Sequence, residues 1–245
     1  MMSSTSEVGH AKNVANLQKL TEQVSVYTLY NPPVARLSVA NLQTLYTTAV
    51  AKLSEVEEKR NANKNAIALR QSAFENLKPT ATRIINLLDI LGLPEGTLNQ
   101  AKTLNRTIQG TKNKPKPPTE NPENGQPSSN NPISTSRQSY TQQAENFGIL
   151  LQLLATIPSY IPNEEDLKLN NLNTYHESLV ATTQPVDQTE AELNVKLIER
   201  NQILYTEGSG LYDIAQNVKK YVKGLYGATS AEYLNVADIK FTNRK

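Results

Sequence analysis

Tyr30-Asn-Pro-Pro-Val-Ala-Arg-Leu37 runs into Ser38-Val-Ala-Asn41-Leu42-Gln-Thr44. At an offset of 130 positions, Tyr160-Ile-Pro-Asn-Glu-Glu-Asp-Leu167 runs into Lys168-Leu-Asn-Asn171-Leu172-Asn-Thr174. The offset pairs Tyr30 with Tyr160, Pro32 with Pro162 and Leu37 with Leu167, and it carries on to Val50-Ala51 against Val180-Ala181. Outward from there it pairs Asn16 with Asn146, Leu20 with Leu150, Val56 with Val186, Arg70 with Arg200 and Ile84 with Ile214. After a six-residue insertion, Leu98-Asn99-x-Ala101 meets Leu234-Asn235-x-Ala237. Agreement at one offset along a whole half points to a tandem duplication.

Both halves carry helical periodicity. Val14, Leu17, Leu20 and Val24 recur at helix spacing, as do Leu42, Leu45, Ala49 and Leu53, and Ile84, Leu87, Leu88 and Leu91. In the second half Leu211, Ile214, Ala215, Val218, Val222 and Leu225 form one stripe. Asn163 is placed to cap a helix whose first turn holds Glu164, Glu165 and Asp166. Asp187-x-x-Glu190 has capping-box spacing. Pro79 and Gly208-Ser209-Gly210 fall at equivalent places and mark a helix junction. Only Ile239–Thr242 offers a weak strand pattern. The fold class expected is all-α, with two tandem, internally homologous bundles of about four helices each.

Between the halves, Gly110–Ser136 holds six of the 13 prolines, several Asn and Ser, one β-branched aliphatic residue and no aromatic. That composition buries too little apolar surface to offset ordering entropy, which predicts a disordered interdomain linker. The expected organisation is therefore repeat 1 at 1–109, linker at 110–136 and repeat 2 at 137–245. The 245 residues leave room for two domains of this size.

Composition narrows the chemistry. There is no Cys, which excludes a disulfide scaffold, a thiolate metal site and a Cys nucleophile. The N-terminus lacks a basic and then apolar leader, and the longest apolar stretch, Phe147–Ile157, is too short to span a bilayer. A cytoplasmic location without membrane insertion is the expectation. Net charge is +2, an average of unlike parts. Residues 1–109 carry 12 basic and 8 acidic side chains, and residues 137–245 carry 10 and 13. Opposite signs favour docking of one half on the other, or of one molecule's first half on another's second half, with hydrophobic contact supplying the affinity.

The ending Gly210-Leu-Tyr-Asp-Ile-Ala-Gln-Asn-Val-Lys-Lys-Tyr-Val-Lys-Gly-Leu-Tyr-Gly-Ala-Thr-Ser230, with Ile239-Lys-Phe-Thr242 and Tyr160-Ile-Pro-Asn-Glu-Glu-Asp-Leu167, resembles a family of uncharacterised bacterial all-helical proteins of about this length. The resemblance lies mainly in the second half. It implies a helical fold and no particular activity.

Catalytic motifs are missing from the sequence. The two imidazoles, His10 and His176, have no ligand at metal spacing, and His176 reads as a partly exposed helix residue. No Walker loop, dinucleotide fingerprint or nucleophile elbow can be assembled, and Gly208-Ser209-Gly210 lacks the strand an elbow needs. Glu55, Glu57 and Glu58 read as a solvated face. Lys219, Lys220 and Lys223 share a helix face opposite the apolar stripe, with Tyr212, Tyr221, Tyr226 and Tyr233 close by. This is the candidate interaction surface, with Tyr212 and Tyr226 as its aromatic members. Cations near a helix C-terminus are also stabilising in their own right.

The expected function is a non-enzymatic structural or protein-interaction module, with a protein partner or self-association and no cofactor or metal. The rival is a small-molecule-binding or catalytic bundle with a pocket between helices or halves. Nucleic-acid or anion binding through the Lys/Tyr face is a weaker alternative, disfavoured by the acidic balance of its half.

Overall fold

The computed structural model describes residues 5–110 and 139–243. All but the first residue of the expected linker lies outside these. Helices dominate, and no strand occurs among the described residues. In the first half α1 spans Thr5–Ser25, α2 Val39–Phe74, α3 Leu77–Ile90 and α4 Glu95–Gln109. In the second, α5 spans Tyr140–Ala155, α6 Leu169–Tyr205, α7 Leu211–Tyr226 and α8 Ala231–Ala237. A 3-10 turn precedes each long helix, at Ala35–Leu37 and at Glu165–Leu167.

The two segments that match best in sequence also match bond for bond. Tyr30 Oη donates to Leu37 O at 2.6 Å, and Tyr160 Oη to Leu167 O at 2.9 Å. Asn41 Nδ2 donates to Ala35 O and Asn171 Nδ2 to Glu165 O, both at 2.6 Å. The backbone pairs Leu37–Val34 and Leu42–Ser38 recur as Leu167–Glu164 and Leu172–Lys168. Each tyrosine thus closes a loop that a 3-10 turn then feeds into a long helix.

Several expected punctuation marks sit elsewhere. Asn163 caps no α-helix. Its acidic neighbours form the 3-10 turn, and α6 begins at Leu169. The supposed capping box, Asp187 and Glu190, lies inside α6, as does Pro185. Local spacing suggested a helix start, but tertiary burial of Leu179 and Val186 along α6 favours one continuous helix. The junctions at Pro79 and Gly208-Ser209-Gly210 do form. Pro79 lies in the first turn of α3, where no intrahelical donor is required of it. Gly208 adopts φ +74, and a Cβ on Gly210 would lie 2.6 Å from Thr206 N. Ile239–Thr242 forms no strand; Asn13 Nδ2 donates to Thr242 O at 2.8 Å and Asn13 Oδ1 accepts from Thr242 N at 2.9 Å.

Packing divides the chain into two compact units that cut across the sequence halves. One comprises Met1–Lys64 with Gln188–Lys245, the other Asn65–Asp187. The first unit's core combines Leu17, Leu20 and Val24 of α1 and Leu42 of α2 with Leu204 of α6 and Ile214, Val218 and Val222 of α7. The second unit's core combines Phe74, Ile84, Leu88 and Ile108 with Phe147, Leu150, Leu154, Leu172 and Leu179. Each unit therefore joins the opening elements of one half to the closing elements of the other. The division falls inside α2 and inside α6.

Ion pairs follow the same exchange. In the first unit Lys52 pairs with Glu55 at 2.9 Å and Glu199 at 2.8 Å, while Lys196 pairs with the same two carboxylates at 2.9 and 3.0 Å. This closed quartet holds both carboxyls below their usual range through hydrogen bonds from the lysines. Glu55 is accordingly part of a helix–helix contact, whereas Glu57 and Glu58 are exposed as expected.

Two outcomes test the tyrosine assignments. Tyr160→Phe leaves the Leu167 carbonyl without its donor and should cost about 1–2 kcal/mol in urea unfolding. Burial pushes the Tyr160 and Tyr175 hydroxyls up to about 12, above their ordinary value near 10.0. Their contribution is complete below pH ~10 and is lost as pH rises through ~12, because only the unfolded chain ionises in that window. The alkaline decline in the urea midpoint should be shallower in Tyr160→Phe/Tyr175→Phe than in the parent.

Candidate functional site

In the first compact unit, α7 and α8 enclose the side of a pocket of about 470 Å3. Gln216, Lys219, Lys220, Lys223, Tyr233, Ala237, Lys240 and Phe241 line it. The apolar stripe Leu211, Ile214, Ala215, Val218 and Val222 turns α7 so that its basic side faces this pocket. Lys219 flanks the stripe instead of opposing it. Its ammonium is partly buried and donates to the backbone carbonyls of Ala237, at 3.4 Å, and Ile239. Lys240 Nζ donates to Ala237 O at 3.1 Å. Both lysines thus meet carbonyls at the end of α8, where the helix dipole is negative.

The remaining cations lie over aromatic faces or reach solvent. The Lys219 ammonium is 5.2 Å from the Phe241 ring centre, and that of Lys223 is 5.6 Å from the Tyr233 ring centre. Lys220 and Lys223 are exposed. Among the described residues, four ammonium groups line the pocket and no carboxylate does. Burial, reinforced by the neighbouring Lys240, holds Lys219 below the usual lysine range.

Of the five residues singled out in the sequence, the structure brings Lys219, Lys220 and Lys223 together and leaves Tyr212 and Tyr226 outside the pocket lining. Tyr226 packs edge-on against Tyr27 at 5.5 Å and accepts a hydrogen bond from Leu29 N at 3.3 Å. Tyr221 donates to Asn31 O at 2.7 Å and meets Tyr30 edge-on at 5.5 Å. Tyr27 donates to Glu232 O at 2.9 Å. These tyrosines bolt the loop after α1 to α7 and α8; they are structural. Lys240 and Phe241 were missed as pocket members. Nothing in local spacing links the tail to α7, because it is Asn13 and Asn16 of α1 that hold the tail there.

His10 is buried, and its Nδ1 lies 2.7 Å from Tyr205 Oη. His176 is partly buried and lines a groove of about 450 Å3 in the second unit with Thr141, Glu145, Val180, Thr183, Gln184 and Asp187. A Cβ at Gly148 would lie 2.8 Å from His176 Nε2, so the glycine makes room for the ring. Among the described residues no three His, Asp or Glu side chains converge as a metal site would require. No helix among them is long and apolar enough to cross a membrane.

The lysines separate by role. Lys219→Gln should destabilise the chain by about 1 kcal/mol and speed amide exchange in the 239–242 tail, because the Ile239 carbonyl loses its ammonium donor. Lys220→Gln/Lys223→Gln should change stability by less than about 0.5 kcal/mol. Comparison with known proteins gives no match: no protein-family model, no curated protein and no solved structure matches the chain.

Proposed function

We propose that the two halves are tandem copies of one helical unit, and that the chain is a non-enzymatic protein-interaction module built from them. The duplication is supported by the shared element order and by the loop hydrogen bonds that recur at an offset of 130 residues.

One observation carries the functional reading. Two loops of the same backbone design present different chemistry. The loop after α1 exposes Val26, Leu29 and Val34 at 71%, 60% and 42% of their surface. The equivalent positions after α5 hold exposed Thr156, Ser159 and Glu164, with Ile161 exposed at 81% between them. Exposed apolar side chains on a loop fixed by Tyr27, Tyr30, Tyr221 and Tyr226 lose little entropy on binding. Matching loops with unlike faces suit the bridging of two different surfaces. No nucleophile–base pair accompanies them among the hydrogen bonds of the loops.

Val26→Asp/Leu29→Asp tests the reading. In sedimentation velocity and affinity capture with the full chain, the parent should self-associate or retain a partner, and the variant should bind at least about tenfold more weakly, as two lost apolar contacts imply. A parent that stays monomeric and captures nothing that the variant loses would overturn it.

A further inference from the structure

The lysine pocket has no part in the loop-mediated interaction, and the fold uses only Lys219 and Lys240 of its four cations in bonds to backbone carbonyls. The equivalent corner in the first half is built without it. At the offset that pairs Ile84 with Ile214, Lys219 corresponds to Asp89 and Lys220 to Ile90. Asp89 is neutralised by Lys102 at 2.7 Å, and Ile90 is 77% exposed. One copy of the corner is therefore a closed ion pair, and the other gathers four ammonium groups with no lining carboxylate among the described residues. Packing these cations together costs electrostatic energy. The backbone carbonyls of Ala237 and Ile239 engage Lys219 and Lys240 but leave Lys220 and Lys223 without a carboxylate among the described ion pairs. Asp238, in the turn after α8, is the nearest acidic influence on Lys219, and it is not in the lining.

We propose that this pocket binds a small anion carrying two or more phosphoryl groups. Charge-assisted hydrogen bonds from the exposed Lys220, Lys223 and Lys240 would each contribute, with Lys219 supplying field from a partly desolvated position. A volume of about 470 Å3 is the size of a small-molecule site and excludes a folded partner. The phosphoryl group comes from a free molecule or from a lipid headgroup, and the chemistry of recognition is the same.

Calorimetry of the full chain with inorganic pyrophosphate at low ionic strength should show saturable one-to-one binding. Lys220→Gln/Lys223→Gln should weaken it at least about tenfold, and added salt should weaken it in the parent. Circular dichroism and the urea midpoint establish that the variant is folded. Co-sedimentation with phosphatidylcholine vesicles containing a phosphatidylinositol bisphosphate separates the two sources. Lysine-dependent binding to pyrophosphate alone assigns a free anion, and lysine-dependent binding to vesicles alone assigns a headgroup. Absence of both, or equal binding by parent and variant, overturns the site. Lysine-dependent retention of single-stranded RNA without either response overturns the small-anion assignment. Val26→Asp/Leu29→Asp should leave pyrophosphate binding intact, which keeps this result independent of the loop interaction.

Discussion

The apolar face of α1 has to be covered by helices from the other end of the sequence, and the architecture follows from that constraint. Leu17, Leu20 and Val24 are fully buried against α7 and α8 of the second half. In the same way Phe147, Leu150 and Leu154 of α5 bury against α3 and α4 of the first. Neither half closes these cores with its own helices. Hydrophobic burial of this extent, at roughly 25 cal/mol per Å2, dominates the loop bonds and ion pairs that decorate it. The ion quartet of Lys52, Glu55, Lys196 and Glu199 then discriminates register between α2 and α6 more than it stabilises them.

The exchange changes the meaning of the charge imbalance. The sequence halves differ as 12 basic and 8 acidic against 10 and 13. Counted over the compact units, Met1–Lys64 with Gln188–Lys245 carries 15 basic and 12 acidic residues, and Asn65–Asp187 carries 10 and 11. Net +3 and −1 is a weaker contrast than +4 and −3. The complementarity is spent in individual pairs between halves: Lys52 with Glu199, Lys59 with Glu192 and Arg83 with Asp166.

Helical stripes were readable from the residues because they express a short-range rule. The stripe from Leu211 to Val222 needs only a period of 3.6, and Leu225 departs from it because α7 has reached its exposed end. Capping signals at Asn163 and Asp187 misled because they are equally short-ranged, and long-range burial along α6 outweighs them. The tyrosines resisted assignment for a related reason. Whether Tyr226 is surface or structure depends on Tyr27 and Leu29, which reach it only through the fold. The pocket was half visible: its α7 lysines share a face, while Lys240 and Phe241 arrive with a tail that Asn13 and Asn16 hold.

Asn16 and Asn146, paired by the 130-residue offset, meet different neighbours. Both are buried at equivalent positions. Asn16 Nδ2 donates to Lys240 O at 2.6 Å and so holds the tail beside the lysine pocket. Asn146 Nδ2 finds no hydrogen-bond partner among the described residues. A buried amide left unpaired costs free energy, whereas the same amide in the first half positions Lys240. Asn16 is thus a positioning group for the tail. The tail it holds supplies Lys240 and Phe241, the two members that separate the pocket from a bare row of surface lysines on α7.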